Sequence, residues 1–197
     1  MCNQFKIPTL KQINNYLKTD LKLPLVDNNL NIKKEEIFPK TLAPVLLYQN
    51  DKLQLQNKSW GYPSPVDSNK VLFNARVERF YESRPSIWKQ SFARQRCLIL
   101  ASEFYESGRN YYTAENGKRY KERFIIKNSN HPITMIAGIY DQDHFAMVTT
   151  KPNSSMNKIH NRMPMVIEPD ELRHWLFQNF TDLINRQNVQ LNIQRKN

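Results

Sequence analysis

The sequence predicts an α+β fold, a single compact β-rich domain with helices at its periphery. Short runs of β-branched and aromatic residues follow one another without regular intervening helices, which argues against a doubly wound parallel sheet. Helical spacing of apolar residues is confined to a few short segments. With 197 residues, 40% of them hydrophobic and 11% aromatic, the chain can bury one sizeable core. No internal repeat and no long linker divides it.

The elements follow in order. Thr9 to Leu21 reads as a helix, with Leu10, Ile13, Tyr16 and Leu17 at helical spacing and Thr9 and Gln12 as a capping box. Residues 22–44, with Pro24, Pro39 and Pro44, show no period and read as irregular. Val45–Tyr48 and Leu53–Gln56 flank Asn50-Asp51 and predict a β-hairpin. Trp60 to Pro65 reads as a loop, Lys70–Phe73 as a short strand and residues 86–95 as a short helix. Cys97–Ala101, Arg123–Ile126, Ile133–Tyr140 and Phe145–Thr149 read as strands, and Pro152–Ser155 as a loop. Pro169-Asp170-Glu171 opens the last helix, which Leu172, Trp175, Leu176 and Phe180 continue. The polar stretch 187–197 reads as a frayed tail.

Composition narrows the function. Lys plus Arg is 29 against 18 for Asp plus Glu, a formal net charge of +11. The cations are dispersed along the chain, which suits a folded basic surface and a polyanionic partner, nucleic acid being the commonest. A solubilising surface is the bland alternative. The 4 glycines form neither a GxGxxG nor a GxxxxGK[ST] string, so phosphate-cradling loops are absent. The 2 cysteines and 4 histidines do not fall at zinc-ligand spacings, and no apolar run is long enough to span a membrane. A reducing cytosol is the expected compartment, with no metal, no organic cofactor and a monomeric chain.

Several residues could carry chemistry. Cys2 follows the initiator Met, and its small side chain favours Met1 removal. That would leave an α-amine of pKa about 8 beside a thiol of about 8.5, a 1,2-aminothiol able to form a Schiff base with an aldehyde and then a thiazolidine. His160, between Lys158 and Arg162, suits proton transfer near neutral pH. Glu106, at the end of the strand from Cys97, suits acid/base work if its neighbours raise its pKa. Asn74 and Arg76 share one strand face, a hydrogen-bonder beside a cation fit for phosphate. Trp60 and Pro63 could stack on or wedge between unpaired bases. Each has a structural alternative: an incidental Cys2, a surface His160, a Glu106 that partners an arginine, an Arg76 tied to Glu78 or Glu106, and a core Trp60.

The order of these signals is more informative than any one. Met1-Cys2, Trp60-Gly61, Asn74–Glu78, Arg96–Ala101, Phe104-Tyr105-Glu106, Ile136–Tyr140, Thr149-Thr150 and His160–Pro164 together resemble the SRAP family, named for SOS-response-associated peptidase. The likeness runs to about Trp175. It implies a compact domain with a mostly antiparallel, barrel-like sheet and outer helices. It also implies binding of single-stranded DNA and covalent capture of abasic sites. In that case Cys2 is the nucleophile, exposed when the chain removes Met1. Asn74 positions the sugar, Arg76 and Arg162 hold phosphates, Glu106 assists ring opening and Schiff-base chemistry, and His160 transfers protons. The sequence departs from the family pattern at Asn3, Gln4, Leu100, Ser102, Glu103 and Ser107, which bears on local loop shape and on the strength of DNA binding. Two other function classes use the same residues: an N-terminal-nucleophile amidohydrolase, which needs an oxyanion hole, and a non-catalytic single-strand-binding module in which Cys2 is incidental.

Overall fold

A computed structural model describes residues 1–23, 30, 32 and 34–196. The strands, in chain order, are β1 (Gln4–Lys6), β2 (Glu36–Ile37), β3 (Leu42–Gln49), β4 (Lys52–Trp60), β5 (Tyr62–Pro63), β6 (Val71–Leu72), β7 (Asn74–Arg76), β8 (Arg96–Ala101), β9 (Glu103–Thr113), β10 (Arg119–Asn128), β11 (Thr134–Tyr140), β12 (His144–Thr150), β13 (Met163–Pro164), β14 (Val166–Ile167) and β15 (Leu191–Lys196). The helices are α1 (Leu10–Thr19), α2 (Lys89–Arg94), α3 (Ser154–Asn157) and α4 (Leu172–Phe177).

The larger sheet closes on itself. Its order runs β12-β4-β3-β8-β11, and β11 pairs again with β12. Closure removes the exposed edges that an open sheet would leave. Two partners share the closing strand: β4 pairs parallel with the start of β12, and β7 pairs parallel with its later residues Met147 to Thr149. The β3–β4 hairpin turns on Asn50 and Asp51, at φ 52° and 59°. Both central residues of such a turn need positive φ, which Asn and Asp tolerate better than most side chains. Every residue of β11 is buried, as are five of the six in β8, so these strands have no solvent face and read as continuous apolar runs.

The second sheet has the order β15-β10-β9-β1-β2 and is antiparallel throughout. It joins the barrel through aromatic packing. Phe5 of β1 meets Trp60 edge-on with ring centroids 5.0 Å apart, and Phe73 and Phe145 complete the cluster. Trp60 is fully buried and its indole N–H donates to the Phe73 carbonyl at 2.9 Å. Trp60→Ala removes this centre, while the Phe73 carbonyl keeps the Met147 N–H, for an expected loss of about 3–5 kcal/mol from the cavity. Urea unfolding checks this; a variant as stable as the parent contradicts the packing account.

Helix α1 starts where the capping box places it. The Gln12 N–H donates to the Thr9 hydroxyl, and the Gln12 side chain accepts from the Thr9 N–H. Ile13, Tyr16 and Leu17 form its buried stripe. Helices α2 and α4 pack outside the barrel, joined through Phe92, Trp175 and Phe180, and the Trp175 indole donates to the Cys97 carbonyl at 2.8 Å.

Five sequence expectations are corrected. The segment Trp60–Pro65 contains the end of β4 and all of β5, because Trp60 is held in the ladder by Thr41 and Tyr62 pairs with Leu72. Within 22–44, Glu36–Ile37 pairs with β1 and β3 begins at Leu42; Pro24 lies outside the described residues. The loop expected at Pro152–Ser155 holds the start of α3, capped by the Asn153 side chain accepting from the Met156 N–H. The last helix ends at Phe177, and Phe180 is buried separately ahead of a 3₁₀ turn at Thr181–Leu183. The expected tail 187–197 contains β15, paired along its length with β10. Leu191 and Ile193 alternate with polar residues and turn half-buried toward the core, which is edge-strand patterning.

Candidate functional site

The site forms where the two sheets meet, and strand pairing builds it. Gln4 pairs with Tyr105 and Phe5 with Phe104, so β1 delivers the residues before it to the neighbourhood of Glu106. Glu106 lies within β9 rather than at the end of the strand from Cys97. That strand stops at Ala101, and Glu103 begins a new one in the other sheet. Just beyond Glu106 the β9–β10 register shifts, with the irregularity between Lys121 and Arg123 opposite residues 107–111. A bulge of this kind re-aims side chains beside a site. Gly108 sits in it because a Cβ there would lie 2.8 Å from the Phe124 ring.

Three side chains converge on the first two residues. The Met1 ammonium lies 3.0 Å from Glu106 Oε1 and 2.9 Å from His160 Nε2. The Asn74 amide donates to the Cys2 carbonyl at 2.8 Å. Cys2 is 1% exposed, and its thiol donates to the Gln4 carbonyl at 3.3 Å. Burial, and then the Glu106 charge, push this thiol up to about 12, so it is protonated at neutral pH. The second oxygen of Glu106 and the Asn74 carbonyl oxygen are both buried and have no hydrogen-bond partner among the described residues. Unmet acceptors of this kind carry a desolvation cost that a bound donor would relieve.

His160 follows α3. Its Nδ1 lies 3.0 Å from the Arg162 N–H and 3.2 Å from the Arg162 carbonyl oxygen, so either neutral tautomer finds a partner. A ring satisfied both ways can exchange protons at Nε2 without losing its hold on the loop. Burial lowers its pKa below the ordinary 6.5, and the opposing pull of Glu106 does not cancel this; the ring is therefore neutral at pH 7.

The arginines divide. Arg76 is exposed on β7, two residues from Asn74. Arg162 is engaged within the chain: Nη1 and Nη2 donate to the two Glu78 oxygens at 2.7 and 2.8 Å, and Nη2 also donates to the Thr149 carbonyl at 2.6 Å. This bidentate fork ties the His160 loop to β12 and to the turn after β7. Glu78 thus takes Arg162 as its partner, not Arg76. Pro63 is exposed, whereas Trp60 is inaccessible beneath the cluster described above and cannot stack on a base. That role is corrected: the indole serves the junction of the sheets. The two cysteines are free and buried.

A cleft of about 570 Å³ opens over these groups, lined by Met1, Glu106, Ser107, Arg109, Lys121 and His160, among others. Arg109 and Lys121 were not singled out from sequence. Arg109 lies within the bulge on the same strand as Glu106, and the pairing of β9 with β10 brings Lys121 to the site.

A closed barrel with its own N-terminus drawn into a Glu–His–Asn cluster defines a class of proteins whose first residues are part of the site. A family described as SOS response associated peptidase (SRAP) matches residues 1–195, and the chain belongs to that family. It is 31% identical over 159 residues to the abasic site processing protein YoqW of Bacillus subtilis, covering 74% of this chain and 67% of that one. It is 25% identical over 186 residues to the abasic site processing protein YedK of Escherichia coli, covering 90% and 80%. The match to the abasic site processing protein HMCES of Xenopus tropicalis is 27% identical and covers 70% of this chain and 52% of that one. A crystal structure from Bordetella bronchiseptica superposes over 100% of both chains with a TM-score of 0.74 at 15% identity. A second, from Bacteroides thetaiotaomicron, gives 0.70 at 18%, covering 100% and 92%.

Proposed function

We propose that the chain processes abasic sites in single-stranded DNA by covalent capture through Cys2, once Met1 has been removed. The observation that carries this reading is the position of the Met1 ammonium between Glu106 and His160, with Asn74 on the Cys2 carbonyl. Hydrolysis of the Met1–Cys2 bond consumes one water, releases Met and creates the Cys2 amine. It also opens a slot about one residue long, roughly 3.8 Å, between that amine and the Glu106–His160 pair. The aldehyde carbon of a ring-opened abasic sugar fits there.

The chemistry then uses the residues in place. An abasic deoxyribose is mostly a closed hemiacetal. Ring opening takes the proton from its hydroxyl and returns one to the ring oxygen, a transfer suited to Glu106 with its unpartnered oxygen. The Cys2 amine adds to the aldehyde, and loss of water gives an imine. Its protonated form is a cation, and it develops across the slot from Glu106, the carboxylate that now pairs with the Met1 ammonium. The thiol then adds across the C=N bond, its proton passing to nitrogen, and closes a thiazolidine with no further loss of atoms. The raised thiol pKa means that this S–H must be deprotonated as it attacks, and neutral His160 is the nearby base. Arg76, exposed beside Asn74, takes a phosphate of the bound strand, while Arg162 holds the His160 loop in position.

The test is capture on a denaturing gel. A single-stranded oligonucleotide with one abasic site gives a heat-stable shifted band; the same oligonucleotide pre-reduced with borohydride, which has no aldehyde, gives none. Equal shifts with both overturn the aldehyde mechanism. Cleavage of peptides other than the chain's own leader would favour the amidohydrolase reading.

A further inference from the structure

The β9–β10 arm continues the cleft as a basic, aromatic face that the chemistry above does not use. Strand alternation and the register Lys121↔Tyr111, Arg123↔Ser107 and Arg123↔Lys196 put these side chains on one side of the sheet. Tyr111 is 52% exposed. The Arg119 guanidinium lies 5.2 Å from its ring centroid and the Lys121 ammonium 5.7 Å. Further in, Arg123 and Lys196 lie 5.3 and 4.9 Å from the centroid of the Tyr105 ring. Carboxylates near this face are few. Glu103 accepts from the Tyr105 hydroxyl, Glu36 lies near enough to oppose that hydroxyl's ionisation, and Glu115 lies at the tip of the hairpin.

We propose that this face is a docking track for the unpaired nucleotides that flank the reacting sugar. Tyr111 supplies a stacking platform, and Arg119 and Lys121 receive the phosphates, while Arg123 is held by the Gln4 side chain. Charge complementarity and position together select the occupant. The cations surround exposed aromatic area, the arrangement that binds unpaired strands without reading sequence. Lys121 lines both the cleft and the arm, so a strand with its sugar at Cys2 runs directly onto Tyr111. The opposite face of the arm carries Tyr112 beneath the Arg195 guanidinium, which also pairs with Glu122, and the Tyr120 hydroxyl bonded to Asn116; Lys121 is what ties the Tyr111 face, rather than this one, to the cleft. The proposal rests on the single-strand reading of the site, yet it concerns binding and not capture.

The experiment therefore separates the two. Binding is measured by fluorescence anisotropy with an oligothymidine of about 12 nucleotides that has no abasic site. Tyr111→Ala is expected to weaken binding about five- to hundredfold, and Tyr111→Phe to retain it. Arg119→Ala with Lys121→Ala is expected to lower the slope of log K against log salt by about 1.4. Lys52→Ala, on a distant hairpin, serves as the charge control. Wild-type affinity in Tyr111→Ala, with an unchanged salt slope in the double variant, overturns the track. A slope loss that Lys52→Ala matches overturns it equally, since net charge would then suffice. If the track variants lose binding while wild-type protein never cross-links abasic DNA, the track stands and the capture reading fails.

Discussion

Cys2→Ala is expected to reduce the heat-stable adduct with abasic single-stranded DNA to background, a loss of at least about a hundredfold in yield. The reason is specific to the two-step chemistry. An amine alone forms an imine, which water reverses; the thiol converts it to a ring by adding across the same double bond. The small Ala side chain still favours Met1 removal, so the variant retains the amine. Borohydride added during incubation should therefore trap Cys2→Ala as a reduced imine, although the untreated sample shows nothing. The thiol belongs to the same residue as the amine, and it sits 1% exposed beside Gln4 and Glu106. Heat-stable capture by Cys2→Ala at the wild-type level contradicts the role of the sulfur.

Glu106→Gln is the second large effect, an expected fall of about 10²- to 10⁴-fold in the rate of adduct formation. Gln keeps the size of the side chain and can still accept the Ser107 N–H that Glu106 now receives at 3.2 Å. It loses the charge that holds the Met1 ammonium and the ability to move a proton. A merely structural Glu106 would lower the yield through instability and leave the rate per folded molecule unchanged. A catalytic one lowers that rate at every pH, and in either case His160 then titrates without the neighbouring carboxylate. Glu106 raises the His160 pKa against the larger lowering by burial. Its removal should shift the His160 limb of the profile toward lower pH. Wild-type rates per folded molecule would exclude Glu106 from the proton transfers.

Much of the frame is legible in the sequence because local chemistry dictates it. Thr9 and Gln12 cap α1 through contacts three residues apart, and Asn50-Asp51 supply the positive φ of the β3–β4 turn. The reactive set is legible as an ordered series of short motifs, although no single member is informative. What escapes the sequence depends on partners far along the chain. Trp60 was open to two readings, a base-stacking surface or a core residue, and only the meeting of β1 with β4 decides for the core. The Arg162–Glu78 fork joins residues 84 apart. The edge strand β15 is mostly polar, and its only signal is the alternation of Leu191 and Ile193. The tyrosine and cation face of the arm is spread over two strands and assembles only through a shifted register.

The central claim is that one amine and one thiol at position 2 capture one aldehyde. Intact-mass measurement tests it most directly, on the purified protein before and after incubation with a single-stranded oligonucleotide carrying one abasic site. The account predicts a starting mass that lacks Met1, followed by a heat-stable species equal to the two components less one water. A protein that lacks Met1 and forms no such species, or one that forms it with Met1 still in place, would contradict the account.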